Sequence, residues 1–448
     1  MQSYAIHSIK LMMVNLDAVS ALSNRFPENK INPSLDRILM AMDLMGQPQN
    51  NFKTIHIAGT NGKTSTSRMV ERLLRSLDLR TGLFISPHLI HPRERIEING
   101  QIISETRFQE IFEEVNPYLE IIDQKFLDAP MTFFEVLTAM GFLAFSDEPI
   151  DVLSLEVGMG GRWDSTNVVI PEVSVITAIG LDHQEFLGSS IKEIAFEKAG
   201  IIKENIPVVI SKQVKEANQV LNDVAANKNS QMLRESIEFD VLDRTVGVGG
   251  QQLNIATPYG NYQDLFLPLF GKFQASNAAC ALTAVETFLG KKLEIELVQE
   301  AFADFKSPAR LQIIKRNPTI LVDAAHNISG VQNTLEAINE TFKFDNKILV
   351  LGFMKDKDID EMLELLKGYA QDVILTQANS NRAISAEDLS KKVSSISNFS
   401  QNITWKNNSK SALEKAVEIE KNKNGSTGII VLGSIALAGE ILQHSKSI

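Results

Sequence analysis

The sequence predicts an α/β protein of two domains: a mostly parallel sheet flanked by helices and carrying a small antiparallel insert, then a smaller α/β domain. Three observations predict it. Short apolar runs alternate with helical patterns, as parallel strands joined by crossover helices require. At 448 residues the chain exceeds one usual domain. The stretch Asp304-Phe305-Lys306-Ser307-Pro308-Ala309-Arg310 interrupts the pattern as a linker, dividing the chain into 1–303 and 304–448.

In the first part the predicted strands cover 54–58, 81–85, 152–157, 173–179 and 207–211. A helix over 67–77 follows the first strand. Segment 238–269 differs, with β-branched residues, glycine and the turn pairs Gly249-Gly250 and Tyr259-Gly260, and reads as the antiparallel insert. A helix over 277–288 comes next, and the second domain places strands at 319–322, 347–352, 372–376 and 428–432.

The apolar fraction of 44% and charged fraction of 22% are those of an ordinary globular enzyme. A net charge of −11 argues against general nucleic-acid binding, although a local basic pocket can still take anions. Cys280 is the one cysteine, so no internal disulfide forms, which suits a reducing compartment. The start, Met1-Gln2-Ser3-Tyr4, has no basic segment before an apolar core, and no apolar run reaches membrane-spanning length. The expectation is a cytoplasmic protein that binds neither nucleic acid nor membrane.

The first strand runs into Gly59-Thr60-Asn61-Gly62-Lys63-Thr64-Ser65. Backbone N–H groups of such a loop wrap phosphates, the lysine adds positive charge, and Thr64 or Ser65 can reach Mg²⁺. Ile57 stands where the common pattern has its first glycine, so the loop is a P-loop-type variant, the alternative being a plain glycine turn. The other strands end in Ser86-Pro87-His88, in Glu156 through Asp164, and in Leu181-Asp182-His183. Ligands sit beyond the carboxyl ends of parallel strands, so a hydroxyl, a carboxylate and an imidazole reach one edge. Ser86, Glu156 and His183 are candidate Mg²⁺ ligands, the imidazole being the least usual donor for that ion. Taken singly, each is equally a strand-end cap, a satisfied carboxylate or a hydrogen-bonded loop histidine.

Lys198 falls on the apolar stripe Ile191, Ile194, Ala195, Lys198 of a helix capped by Ser189 or Ser190 and ending at Gly200. A lysine there is costly unless paired or neutral. The residues alone favour a paired or snorkelling lysine; a neutral amine could instead take up CO₂ as a carbamate. In the second domain Asp323 and His326 end a strand, Asn327 could cap a helix, and Arg310 could reach phosphates from the linker. Lys355-Asp356-Lys357-Asp358 reads as a charged surface loop, and Cys280 as a core residue.

Gly59-Thr60-Asn61-Gly62-Lys63, Ser86-Pro87-His88-Leu89, the run from Leu155 to Asn167, Glu197-Lys198-Ala199-Gly200-Ile201 and Asp323-Ala324-Ala325-His326-Asn327 together resemble the folylpolyglutamate synthase/dihydrofolate synthase family, relatives of the Mur ligases. The resemblance spans 31–439 and implies a Rossmann-like second domain. It implies ATP contacts at Thr60, Asn61, Gly62, Lys63, Thr64, Ser65, Asn277, Arg310 and Asp323, and Mg²⁺ at Ser86, Glu156 and His183. Catalytic roles fall on Lys63, His326 and a carbamylated Lys198. Pterin contacts fall on Asn32, Pro33, Ser34, Leu35, Phe133, Phe134, Glu135, Val136, Trp163, Asp164 and Ser165, with Ser434 also at the substrate. A monovalent cation and a monomeric state complete the expectation. The chain departs from the family in Thr64, where many relatives have glycine, in Ala309, where Pro-Gly-Arg is usual, and in Ala436, where an aromatic is frequent.

The implied reaction is ATP-dependent amide ligation of L-glutamate to dihydropteroate or reduced folates through an acyl phosphate. Two other readings stay open: a cell-wall Mur-type amino-acid ligase, and a nucleotide switch without catalysis.

Overall fold

The computed structural model describes residues 17–25 and 33–445. Among the described residues seventeen strands run in chain order: β1 (Lys53–Ala58), β2 (Thr81–Phe84), β3 (Ile96–Ile98), β4 (Gln101–Ile102), β5 (Val152–Glu156), β6 (Val173–Ile176), β7 (Val208–Ile210), β8 (Met232–Arg234), β9 (Asp240–Gly247), β10 (Gly250–Thr257), β11 (Gly260–Leu267), β12 (Gln312–Arg316), β13 (Thr319–Val322), β14 (Asn346–Leu351), β15 (Asp372–Leu375), β16 (Asn402–Trp405) and β17 (Thr427–Leu432). They form an eight-stranded sheet in the order β4-β3-β2-β5-β1-β6-β7-β8, a three-stranded sheet β11-β10-β9, and a six-stranded sheet β12-β13-β17-β14-β15-β16.

In the first sheet β2, β5, β1, β6, β7 and β8 pair in parallel, and the β3-β4 hairpin adds an antiparallel edge. Its central strands are buried on both faces because helices cover them, as parallel sheets require, and most of their residues are apolar. On one face the helix Lys63–Arg75 lays Met69, Val70, Leu73 and Leu74 against Ile55, Ile57 and the helix Lys272–Leu289. On the other, the helix Phe133–Asp147 packs Val136, Leu137, Met140 and Phe145 against Phe84, Leu153 and Leu155.

The antiparallel insert forms as expected, as β9-β10-β11, with its inner residues Leu253, Ile255, Tyr262, Leu265 and Leu267 packed on the same core. Every strand predicted from the sequence is present. Four edge elements were not predicted: the β3-β4 hairpin, β8, β12 and β16. Each is short or flanked by polar residues, so periodicity is weak there.

The helix after β1 begins at Lys63, four residues before the expected start at 67. Gly62 takes φ 90 as its N-cap, and a Cβ there would collide with Asn277 Oδ1. Lys63, Thr64 and Ser65 therefore sit in the first turn, whose N–H groups have no intrahelical acceptor. Residues 304–311 connect the helix Ile295–Ala303 to β12 without helix or strand. Among the described residues no helix is long and apolar enough to cross a membrane.

Candidate active site

β2, β5, β1 and β6 are neighbours in the first sheet, and their carboxyl ends open on one cleft of about 800 Å³. Thr60, Asn61, Gly62, Lys63, Thr64, Ser86, Glu156 and His183 all line it. The loop after β1 is pinned by the Thr60 and Asn61 N–H groups, which donate to the Ala178 carbonyl at 2.9 and 3.1 Å. Lys63 Nζ folds back on the Gly59 and Thr60 carbonyls at 3.1 and 3.4 Å.

Glu156, at the end of β5, is buried. Its Oε1 accepts from the Thr64 hydroxyl at 2.9 Å and its Oε2 from the Ser86 N–H at 3.2 Å. Burial pushes its pKa up, against the opposing charge of Lys63. The buried Ser86 hydroxyl has no protein partner among the described residues. His183 sits at φ 50, and burial lowers its ring to about 3, keeping a nitrogen lone pair available. Among the described residues no cage of three or more His, Cys, Asp or Glu side chains exists. An unpartnered hydroxyl, one carboxylate and one imidazole on an open cleft fit Mg²⁺, which keeps several waters.

Lys198 lies beneath the loop on the helix Ile191–Ala199, which Ser190 caps. Its pairing is not the acid expected of a buried lysine: Nζ donates to the Gly59 carbonyl at 2.8 Å. Burial and then the Lys63 charge lower its pKa to about 7.

The second sheet supplies the facing wall. Arg310, His326 and Ser434 line the cleft there. Arg310 sits between Ala309 at φ 56 and Leu311 at φ 46. The left-handed backbone accounts for a glycine preference at position 309; alanine holds it at a cost of about 1 kcal/mol. Asp323, buried beside this turn, accepts from the Leu311 and Ala325 N–H groups at 2.7 and 2.8 Å, and burial pushes its pKa up. His326 Nδ1 donates to the Ala324 carbonyl at 2.8 Å, leaving Nε2 toward Asp182, 3.7 Å away.

Asp182 joins the two walls, a role the sequence reading did not give it. Its Oδ1 accepts from Lys357 Nζ at 2.6 Å and its Oδ2 from Asn327 Nδ2 at 3.3 Å. Burial alone would raise this carboxyl, but His326 and Lys357 hold it well below the usual range. Asn327 also reaches Asn61 Oδ1 at 3.1 Å, and Asn61 donates to Ser329 Oγ at 2.7 Å, so the loop after β1 touches the start of the helix Ile328–Thr341 directly. Lys357, in the run expected to be a surface loop, is thus nearly buried and paired; its partner is 175 residues away in sequence.

The remaining expected residues divide. Pro33, Ser34, Phe134, Glu135, Trp163, Asp164 and Ser165 also line the cleft. Glu135 is paired there with Arg37 at 3.0 Å. Leu35 and Val136 instead pack in the adjoining core, and Phe133 lies under the Arg95 guanidinium, 5.2 Å from the ring centre. Asn32 lies outside the described residues. Ser65 is buried behind the loop, near Ser307 and Gln274, and Asn277 accompanies Gln274 against Gly62. Ser434 caps its helix through the Leu437 N–H at 3.2 Å, and Ala436 lines the cleft beside it.

Residues 57–285 match the Mur ligase middle domain and 309–435 the Mur ligase glutamate ligase domain. With a glycine-lysine loop on one wall of the cleft and an arginine-bearing turn on the other, these matches define the class of protein as a member of the Mur ligase superfamily. Within it the chain belongs to the dihydrofolate synthase/folylpolyglutamate synthase family. It is 40% identical to the dihydrofolate synthase/folylpolyglutamate synthase of Mycobacterium tuberculosis over 93% of this chain and 91% of that one. It is 32% identical to the protein of that description from Bacillus subtilis, over 93% and 96%. Mycobacterium tuberculosis folylpolyglutamate synthase, solved with ADP and AMPPCP, superposes with a TM-score of 0.90 at 39% identity, covering 96% of this chain and 99% of that one. An FPGS solved with AMPPCP and folate gives 0.83 at 29% identity, covering 97% and 99%.

Proposed function

We propose that this chain joins L-glutamate to dihydropteroate, to reduced folates as poly-γ-glutamates, or to both, with conversion of ATP to ADP and phosphate. The observation that carries this reading is the convergence of Lys63, Ser86, Glu156 and His183 on one cleft whose far wall bears Arg310 and His326. The relatives' names and the folate-bound neighbour supply the acceptor class.

A carboxylate is a poor acyl donor. Its oxygen attacks the γ-phosphorus of ATP, ADP leaves, and the acyl phosphate that forms has a good leaving group. The glutamate amine then attacks the acyl carbon, phosphate departs, and the nitrogen gives up a proton. Two anions meet in the first step, so Lys63 and the loop N–H groups hold the γ-phosphate in line and offset its charge. Ser86, Glu156 and His183 would hold Mg²⁺, which supplies further charge neutralisation when bound. Arg310 approaches the phosphates from the facing wall. His326, which lines the same cleft, is assigned as the base that takes the amine proton. Closure of the two walls through Asp182, Asn327 and Lys357 excludes water that would hydrolyse the acyl phosphate.

The same reading divides the chain at 303/304 and places the pterin against Phe134 and Asp164. It includes a carbamate on Lys198, a monovalent cation, and action as a cytoplasmic monomer on small molecules. A cell-wall ligase is disfavoured by the Gly160-Gly161-Arg162-Trp163-Asp164-Ser165-Thr166-Asn167 run at the acceptor end of the cleft. A switch would need no glutamate-ligase domain.

Purified protein given ATP, glutamate and either dihydropteroate or tetrahydrofolate should release phosphate only when glutamate and an acceptor are both present. Mass spectrometry should find acceptors heavier by whole glutamyl residues. Phosphate release independent of glutamate, or turnover with a cell-wall nucleotide precursor alone, would sink the proposal.

A further inference from the structure

We infer that His56, buried in the middle of the first sheet, is a positioning residue for Asp164 and acts through the Thr166 hydroxyl. The inference rests on the reading of Asp164 as a pterin contact. His56 lies on β1 between β5 and β6 and is fully buried. Its Nε2 is 2.9 Å from Thr166 Oγ1. The Thr166 hydroxyl reaches Asp164 Oδ1 at 2.5 Å, and the Thr166 N–H reaches the same oxygen at 3.0 Å. The Met159 N–H occupies Oδ2 at 2.8 Å.

The proton inventory fixes the direction of this chain. A threonine hydroxyl has one proton, and here the carboxylate takes it. The ring must therefore donate from Nε2 into the hydroxyl lone pair, which makes Nδ1 the bare nitrogen. Nδ1 has no partner among the described residues. The opposite tautomer would bury an N–H with no acceptor, the costlier error. Burial lowers the ring to about 3, so it stays neutral at working pH.

Met159 lies in the loop before Asp164, and Thr166 in the short 3-10 helix Ser165–Val168 that Asp164 caps; His56 ties this hydrogen-bonded set to the sheet. A Cβ on Gly158 would meet both the Phe134 ring and Asp164 Oδ2, so the carboxylate and the aromatic face share one small patch of the cleft. Fixing Oδ1 from behind sets how that carboxylate meets a flat heteroaromatic ring. His56 is also three residues before the phosphate loop. A merely structural role would therefore disturb ATP as much as the acceptor.

The test measures kcat and the KM values for tetrahydrofolate and ATP, with Asp164→Asn as reference. His56→Leu and Thr166→Val should each raise the tetrahydrofolate KM about tenfold and leave the ATP KM unchanged. The double variant should be no worse than the poorer single one, because both break one link. His56→Gln and Thr166→Ser, which keep a donor and a hydroxyl, should restore most of the affinity. Ring ¹⁵N spectra should show one histidine protonated at Nε2, shifted in Thr166→Val. An unchanged tetrahydrofolate KM in His56→Leu, with a raised one in Asp164→Asn, overturns the inference alone. An unchanged KM in Asp164→Asn overturns the pterin reading and this inference together. Equal rises for both substrates would make His56 structural and overturn it too. If His56→Leu fails to fold, Thr166→Val and the ring spectrum decide.

Discussion

Lys63→Ala is expected to lower kcat by about 10²- to 10³-fold with the fold intact, the usual cost of losing one preorganised charge at a reacting centre. The Lys63 ammonium has two loop carbonyls as its nearest partners and lines the cleft where phosphates would lie. Its charge also acts on Glu156, His183 and Lys198, so the neutral variant loses more than one contact. Lys63→Arg should rescue little, because a planar guanidinium does not fit a position shaped for a compact ammonium. Circular dichroism and thermal melting would establish the fold, and initial rates the loss. Turnover near the parent's would remove the phosphate-loop role.

Lys198→Ala is expected to lower kcat about a hundredfold, the upper range for a group supporting a metal site from outside. A short carboxylic acid such as acetate should restore part of the loss. The neutral amine attacks CO₂, the new N–C bond forms, and one proton leaves, so carbamate formation rises with pH through the lysine's pKa of about 7. Below that pH the ammonium has no lone pair to give. ¹³C spectra under labelled CO₂ should accordingly show a carbamate signal at pH 8 that fades at pH 6. Full activity in Lys198→Ala without added acid would dispose of the carbamate. The bond from Nζ to the Gly59 carbonyl poses a distinct alternative, a lysine that only props the loop. That role predicts loss of activity with no rescue by acid.

What the sequence disclosed and what it hid follow from range. The loop at Gly59 through Ser65, the strand ends at Ser86 and His183, and the stripe carrying Lys198 are local patterns, and each was readable in place. Parallel pairing then brought β2, β5, β1 and β6 side by side, so that separate strand ends became one cleft. The hidden features depend on partners far along the chain. Lys357 looked like surface charge because Asp182 is distant in sequence; Glu135 gave no sign of Arg37, 98 residues away. Asn327 was legible as a helix cap, which it is, accepting from the Gly330 N–H at 2.8 Å. Its second bond, to Asn61, exists only once the two sheets face each other. Val136 and Leu35 lie within segments that reach the cleft, but their own side chains turn into the core, a distinction that motif matching does not make.

Chemistry at the acceptor carboxylate is the centre of the account, and isotope transfer tests it most directly. Tetrahydrofolate labelled with ¹⁸O in its γ-carboxylate, turned over with ATP and glutamate, should pass one labelled oxygen into the phosphate released with each amide formed. Amide formation with unlabelled phosphate would mean that the carboxylate never attacked phosphorus, and the acyl-phosphate assignment for this cleft would be wrong.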